Sequence, residues 1–223
     1  MLSNIAMVPA RMGSQRLKHK NLRKLAGIPL ITRNVRKCKE AGVFDEIWVN
    51  SENSIFGEIA SIEGVKFHQR PQIFANNKAT SEQYITEFLR NHNCRFVVQV
   101  HSIAPLLTIK DIRDFVAVVS ENQYDCLLSV DLVQIECAFH DQPVNFSFLE
   151  KTNSQELKPI QRVNWSITAW RRETYLDAVA SGKCATYAGR VGFFSISPLA
   201  GHIIKTERDL QVAEALLPLV EGG

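Results

Sequence analysis

Short apolar runs alternate with amphipathic stretches along most of the chain. Apolar runs of four or five residues favour buried strands, and apolar residues that recur every three or four positions favour helices. The predicted strands span residues 5–9, 46–50, 65–68, 96–100, 126–130, 167–170 and 191–196. The predicted helices span residues 29–40, 55–62, 81–91, 108–120, 172–180 and 206–217.

This alternation predicts an α/β fold, a Rossmann-like three-layer sandwich in which helices cover both faces of a mostly parallel sheet. Local signals support three of the helix starts. Pro29 suits a first helical turn, Ser81 is a plausible N-cap, and Thr206 with Asp209 has capping-box spacing. No linker divides residues 1–223, which are therefore expected to form a single domain.

The alternation is interrupted between residues 131 and 163. This stretch contains Gln, Asn, Pro and several aromatic residues without a strong period. Long irregular segments inside a compact domain are uncommon and are often functional. We therefore expect residues 131–163 to leave the core as an arm, a lid or an oligomer contact.

The composition is that of a globular protein, with 45% hydrophobic and 22% charged residues. No apolar run reaches the roughly 20 residues of a membrane-spanning helix, and the first apolar stretch lacks the basic region of a secretory signal. The five cysteines show no C-x-x-C spacing. This pattern disfavours a disulfide scaffold or zinc site and indicates a reducing cytoplasm.

Positive charge is concentrated at the start of the chain. Residues 1–39 contain ten Lys or Arg and no Asp or Glu. Such a block suits nucleic acid, a membrane surface or a polyphosphate ligand. The basic residues between 33 and 39 lie on one predicted helix and can form a solvated face. The block has no interleaved aromatic residues and no known recognition element, so nucleic acid is not the expected partner. A membrane partner is not expected either.

The basic loop at residues 9–21 directly follows the first predicted strand, where ligands of open α/β sheets bind. Gly13 permits a tight turn and close backbone approach, so the backbone around Gly13 and Ser14 can cradle phosphate oxygens. Arg11 and Lys20 can offset the phosphate charge. The loop has neither the Walker ending nor the G-x-G-x-x-G pattern. It predicts a nucleoside triphosphate site.

The loop and the turn after it carry Ala-Arg-x-Gly-Ser at 10–14, Lys-Asn-Leu at 20–22 and Leu-Ala-Gly-Ile-Pro-Leu at 25–30. Weaker matches follow at 47–52, 70–71, 75–81, 98–106 and 206–214. In this order the segments resemble the sugar cytidylyltransferases, the synthetases of CMP-sialic acid, CMP-Kdo and their legionaminic and pseudaminic acid relatives.

The resemblance implies a nucleotide-diphospho-sugar transferase-like fold that transfers CMP from CTP to an acidic 2-keto-3-deoxy sugar and releases pyrophosphate. It also implies a homodimer formed through residues 131–163. The implied nucleotide-binding residues are Ala10, Arg11, Gly13, Ser14, Lys20, Asn21, Arg70, Ala79 and Gln99. The implied acceptor-binding residues are His101, Arg162 and Asn164.

The chain departs from the family at its metal-binding aspartates. Ile203, Ile204 and Lys205 occupy the place of an Asp-x-Asp motif, and His101 stands near that of a further Asp. Asn77 replaces another family Asp. The side chains of isoleucine and lysine offer no oxygen ligand to Mg²⁺, so any Mg²⁺ is expected to arrive with the nucleotide.

Lys205 places a positive charge where the metal would lie. With Arg11 and Lys20 it is a candidate catalytic residue, because fixed cations stabilise charge that develops on a phosphoryl group. The alternative is a surface lysine beside a helix N-terminus. His101 and Arg162 have structural alternatives too, a core hydrogen bond and an ordinary arm residue.

Two other functions remain open. A family member without metal aspartates could bind a nucleotide or a sugar without turnover. A nucleotidyltransferase could also use another base or acceptor. Hydrolases are disfavoured, because the sequence lacks a G-x-S-x-G motif and a convincing Cys–His pair.

Overall fold

Seven strands form the central sheet of the computed structural model, which describes residues 3–76 and 78–221. The strands are β1 Asn4–Pro9, β2 Glu46–Ser51, β3 Lys66–Gln69, β4 Phe96–Val100, β5 Cys126–Val133, β6 Ile160–Arg171 and β7 Val191–Ser195. Their order is β7-β5-β6-β4-β1-β2-β3. Only β6 runs against its neighbours β4 and β5. The prediction of a mostly parallel sheet is confirmed.

Helices cover both faces of this sheet. They are α1 Leu30–Ala41, α2 Ser54–Ile62, α3 Ser81–Asn91, α4 Ile109–Ser120, α5 Arg172–Ala180, α6 Glu207–Leu216 and α7 Pro218–Glu221. Ala6 and Val8 of β1 lie in the apolar cluster that contains residues of α1, α2 and α4. Ile5 and Met7 lie in the cluster that contains residues of α3 and α5. Successive strand residues point to opposite faces, so the predicted three-layer sandwich is confirmed.

Two of the predicted helix-start signals, those at Pro29 and Ser81, are displaced by one residue. Pro29 is the N-cap of α1, and it also pairs with Lys24 in a short antiparallel ladder. The N-cap of α3 is Thr80 and not Ser81, because Thr80 and Gln83 form a reciprocal capping box. The capping box predicted for Thr206 with Asp209 is present at the start of α6.

The irregular segment is shorter than predicted. Strand β5 continues to Val133 and β6 begins at Ile160, so residues 134–159 lie between them. The outer parts of both strands are a mixture of exposed and half-buried residues, and they therefore lack the buried pattern that identified the other strands. Within 134–159, Ala138–Phe139 pairs with Gln142–Pro143. Five large apolar side chains in this segment are exposed, those of Ile135, Phe139, Val144, Phe148 and Leu149.

The carboxyl ends of β1, β2 and β4 meet at one edge of the sheet, as parallel strands require. The antiparallel β6 brings its amino-terminal half to the same edge, where the backbone N–H of His101 donates to Ser166 O at 3.1 Å. This edge therefore gathers the basic loop, the residues after β4 and part of β6. Over residues 3–76 and 78–221, no helix has the length and apolarity to cross a membrane.

Candidate active site

A cleft of about 240 Å³ opens at this edge between the basic loop, the residues after β4 and the segment before α6. Five cationic side chains line it, those of Arg11, Arg16, Lys20, Arg70 and Lys205. Within the part of the chain that the structure describes, no acidic residue lines the cleft. A cleft with one sign of charge concentrates ligands of the opposite sign. The geometry therefore suits a polyanion.

Asn21 holds the two sides of the basic loop together. Its side-chain amide donates to Arg11 O at 3.1 Å, and its carbonyl oxygen accepts from Ser102 Oγ at 2.8 Å. The side chain is buried. Although Asn21 lines the cleft, these bonds make it a residue that shapes the loop from within.

The middle of the loop differs in part from the expected phosphate cradle. Gly13 does not adopt the left-handed backbone that only glycine favours, so the turn itself does not require a glycine. A Cβ at this position would meet no heavy atom within 4 Å, which leaves room for close ligand approach. The Ser14 N–H donates to Met12 O at 3.0 Å. In this conformation the Ser14 N–H is hydrogen-bonded within the turn and does not point to a phosphate ligand as a donor.

Lys20 reaches across the cleft to the segment before α6, where its ammonium donates to Ile204 O at 3.2 Å. Burial lowers the pKa of Lys20 to about 8, and repulsion from Arg16, Arg11 and Lys205 adds to the effect. The side chain therefore lies in a strongly positive environment that an anionic ligand would relieve.

Arg70 forms part of the cleft wall beside Ala10, and its side chain is 3% exposed. Its Nη2 donates to Ala10 O at 2.7 Å and to Glu52 Oε2 at 3.1 Å. The guanidinium carbon lies 4.8 Å from the centre of the Tyr84 ring, within cation–π range. The other oxygen of Glu52 accepts from the Met12 N–H at 2.8 Å.

Gln99 lies beneath the cleft, with 1% of its surface exposed. Its carbonyl oxygen accepts from Tyr84 Oη at 3.3 Å, and its amide nitrogen pairs with His101 Nε2. His101 itself lines the cleft. Burial, with a smaller contribution from Lys20, lowers the pKa of His101 to about 4. His101 therefore offers a neutral hydrogen-bonding group at neutral pH.

Five of the predicted site residues do not line this cleft, namely Gly13, Ala79, Gln99, Arg162 and Asn164. Ala79 lies in the loop before α3, where its N–H donates to Asn76 Oδ1 at 2.9 Å. Asn77 lies outside the described residues. Arg162 and Asn164 lie in β6 and share Asp131 at the end of β5, at 2.6 Å and 3.2 Å respectively. They form a second polar cluster at the same edge of the sheet.

This second cluster, Asp131, Arg162 and Asn164, combines a buried part with an exposed part. The Asn164 amide is buried and also accepts from Ser129 Oγ at 2.7 Å. The Arg162 side chain is 65% exposed. A Cβ at Gly201 would lie 3.1 Å from Asp131 Oδ1 and 3.2 Å from Asn164 Nδ2. The chain before α6 therefore passes close over the cluster.

The residues at the expected metal position do not fit a protein-bound Mg²⁺. Ile204 is fully buried in an apolar cluster, and Lys205 is cationic. Mg²⁺ prefers oxygen ligands, carboxylates above all, and His101 offers only an imidazole. Across residues 3–76 and 78–221, no group of three or more His, Cys, Asp or Glu could hold a metal ion.

Sequence reasoning missed three residues of the site. Arg16 belongs to the basic loop but has no predicted role in the site, and neither Glu52 nor Tyr84 has one. Glu52 follows directly after β2, and a polar residue at the carboxyl end of a parallel strand is a signal that could have identified it. Nothing in the sequence places the Tyr84 ring against Arg70.

The family model described as Cytidylyltransferase matches residues 5–194. An N-acylneuraminate cytidylyltransferase of Streptococcus agalactiae serotype III (strain NEM316) is 27% identical over 195 residues, which cover 82% of this chain and 47% of the relative. N-acylneuraminate cytidylyltransferase A of Danio rerio is 29% identical over 126 residues, which cover 56% of this chain and 29% of the relative. The chain thus spans about half or less of the length of these relatives.

Solved structures share the fold at low sequence identity. CMP:2-keto-3-deoxy-manno-octonic acid synthetase, complexed with CTP, superposes with a TM-score of 0.72 at 15% identity and covers 97% of this chain and 98% of its own. The 4-diphosphocytidyl-2C-methyl-D-erythritol synthase of Anaerococcus prevotii DSM 20548 superposes with a TM-score of 0.68 at 10% identity. The match covers 96% of this chain and 97% of the synthase chain. Because the family model matches most of its length, the chain belongs to the cytidylyltransferase family.

Proposed function

We propose that this protein transfers CMP from CTP to an acidic 2-keto-3-deoxy sugar of the sialic, legionaminic, pseudaminic or Kdo type. The observation that carries the proposal is the cation-lined cleft built on the family's characteristic loop. In the reaction, a sugar hydroxyl oxygen bonds to the α-phosphorus of CTP. The bond from that phosphorus to the bridging oxygen breaks, pyrophosphate leaves, and the hydroxyl proton passes to solvent.

The cationic residues suit the triphosphate, because nucleotidyl transfer needs positioning and electrostatic support more than covalent participation. Arg11 and Lys20 offset the phosphate charge, and backbone at Ala10, Gly13 and Ser14 approaches the nucleotide. The remaining nucleotide contacts are assigned to Asn21, Arg70, Ala79 and Gln99. Asn21 and Gln99 act from within the protein, since their polar atoms bond to other residues.

Lys205 is assigned a catalytic role as a fixed cation. Its backbone N–H donates to Asp209 Oδ2 at 2.9 Å and so belongs to the start of α6. Its ammonium group belongs to the cleft wall, close enough to lower the pKa of Lys20. Any Mg²⁺ would be carried by the phosphates of the nucleotide, because the cleft residues do not fit a protein-held ion.

The acceptor sugar is assigned to the side of the cleft that faces β6. His101 presents a neutral hydrogen-bonding group there, and the planar donors of Arg162 match a carboxylate. Asp131 accepts from Arg162 Nε at 3.0 Å and from Asn164 Nδ2 at 3.2 Å, and so holds the Arg162 guanidinium in place. The curated relatives are named for N-acylneuraminate, a sugar acid, which supports this class of acceptor.

The wider setting follows from the same proposal. We infer a homodimer formed through residues 134–159, whose exposed apolar side chains would be covered by a second copy. The five cysteines are unpaired, which is compatible with a cytoplasmic location. The activated sugar would serve surface polysaccharide or glycoconjugate synthesis.

Pyrophosphate release tests the proposal. The protein is mixed with CTP and a panel of 2-keto-3-deoxy sugar acids, and phosphate is measured after pyrophosphatase treatment. We expect release that depends on both CTP and one acid of the panel, and that is lost in Arg11→Ala. Release with a neutral sugar phosphate, or with another nucleotide in preference to CTP, would instead indicate a transferase with a different acceptor or base.

A binding protein without turnover is the second candidate function. It is favoured by the lack of acidic residues in the described lining of the cleft. Such a protein would bind CTP with the same selectivity and release no pyrophosphate with any acid of the panel. Turnover therefore separates the two candidates.

A further inference from the structure

We propose that Glu52 is a positioning residue of the nucleotide site, which fixes the basic loop and Arg70 in the geometry that binds a triphosphate. Its carboxylate lies behind the cleft wall and does not line the cleft. The proposal rests on the proposed function for the identity of the nucleotide. In this proposal Glu52 holds the residues of the site in place and does not itself contact the ligand.

Both oxygens of the Glu52 carboxylate are used. Oε1 accepts from the Met12 N–H at 2.8 Å, in the middle of the basic loop. Oε2 accepts from Arg70 Nη2 at 3.1 Å and from Ser51 Oγ at 3.3 Å. The side chain is 5% exposed. A buried carboxylate is costly unless its lone pairs are satisfied, and here they are satisfied by two segments of the cleft.

These bonds join three strand ends into one unit. Arg70 Nη2 also donates to Ala10 O at 2.7 Å, and the Arg70 N–H donates to Ser51 O at 2.8 Å. Gln69 Nε2 donates to the backbone oxygen of Glu52 at 2.7 Å. The ends of β1, β2 and β3 therefore meet at Glu52. Removal of the whole carboxylate would leave the Met12 N–H without its acceptor and the Arg70 guanidinium without its counter-charge.

A positioning role and a simple charge effect predict opposite results. A negative charge behind the wall of a cation-lined cleft opposes anion binding, so its removal should strengthen binding if long-range charge alone matters. If the carboxylate instead orders the loop and Arg70, its removal should weaken binding. The loop and Arg70 would then have to become ordered when the ligand binds, and this ordering lowers the affinity.

Glu52→Gln separates these cases at nearly constant shape. The amide oxygen of the glutamine can still accept from the Met12 N–H. Its NH₂ group, however, would face the N–H donors of Arg70, with which it cannot form a hydrogen bond. Glu46→Gln is the matched control, since Glu46 lies at the start of β2, the strand that Glu52 directly follows, pairs with Lys66, is 36% exposed and does not line the cleft. Glu52→Asp keeps the charge but is one methylene too short to reach both partners.

Three measurements on the full chain test the proposal: Kd for inorganic tripolyphosphate, Kd for CTP, and hydrogen exchange of peptides that cover residues 10–16 without ligand. We expect Glu52→Gln to raise both Kd values about tenfold and to speed exchange in the loop. Glu52→Asp should lie between Glu52→Gln and the wild type, and Glu46→Gln should match the wild type. If Glu52→Gln cannot be purified folded, Glu52→Asp carries the same test.

Unchanged or tighter tripolyphosphate binding by a folded Glu52 variant, with unchanged loop exchange, would overturn the proposal. If the wild type binds tripolyphosphate but no nucleotide, the proposed function fails, and the role of Glu52 is still decided by tripolyphosphate and exchange. If the wild type binds neither anion, the cleft is not a phosphate site and both proposals fail.

Discussion

The protonation of Lys20 should make CTP affinity depend on pH in a defined direction. In the free protein, burial and three neighbouring cations hold the pKa of Lys20 at about 8, below its ordinary value of 10.5. A bound triphosphate supplies the missing negative charge and so raises this pKa again. Binding must then take up a proton in alkaline buffer, and CTP affinity must fall as the pH rises through 8.

The size of the effect follows from the free-state pKa. About three quarters of the free protein carries a charged Lys20 at about pH 7.5, but only about three in a hundred molecules do so at about pH 9.5. If the bound lysine stays charged throughout, the Kd for CTP rises about 20-fold over this range. The terminal phosphate, with a pKa near 6, is already ionised.

Isothermal titration calorimetry across this range measures both the Kd and the proton uptake, the latter from buffers of different ionisation enthalpy. Lys20→Arg is the matched control, because a guanidinium keeps its charge over the whole range. We expect the variant to bind CTP with little dependence on pH. A flat profile for the wild type, or an equal fall in Lys20→Arg, would refute the role assigned to Lys20.

Three further substitutions separate the assigned roles. Lys205→Met should lower the rate of pyrophosphate release at least about tenfold with little change in Tm, and an undiminished rate would return Lys205 to the status of a surface residue. Asn21→Leu should lower the free energy of unfolding by about 1–3 kcal/mol in urea denaturation, because it leaves Arg11 O and Ser102 Oγ without their partner. Arg162→Lys should raise KM for the sugar acid about tenfold without a change in CTP affinity, and a shift in CTP affinity instead would place Arg162 at the nucleotide.

Most of the sheet could be predicted from the sequence, because its central strands are buried on both faces and appear as continuous apolar runs. Strand β6 shows where this signal ends. Its inner half has the expected pattern, but its outer half from Ile160 consists of exposed and half-buried residues apart from the buried Asn164. The reversed direction of β6 had no local signal, since a connection as long as residues 134–159 permits either orientation.

The candidate site could be predicted where its signal is local in sequence. Arg11 and Lys20 belong to one short loop directly after a strand, and the structure places both in the cleft. Glu52 lies 40 residues from Met12 and 18 from Arg70. Their contact arises only when β1, β2 and β3 lie side by side, so that spacing within one segment cannot indicate it.

The second polar cluster, Asp131, Arg162 and Asn164, also forms between residues that are far apart in the sequence. Arg162 and Asn164 were assigned to the acceptor from the resemblance alone, and their shared partner Asp131 was not singled out. The register between β5 and β6 sets Arg162 directly opposite Asp131. A register shift between Val163 and Thr168 follows, and irregularities of this kind re-aim side chains near functional sites.

The central claim is that the cation-lined cleft binds CTP. Calorimetric titration of the purified protein with CTP, ATP, GTP and UTP, each with Mg²⁺ and with excess chelator, tests it most directly. The account predicts selective binding of CTP that persists without Mg²⁺, because Arg11, Lys20 and Lys205 supply the positive charge. Failure of all four nucleotides to bind under both conditions would contradict it.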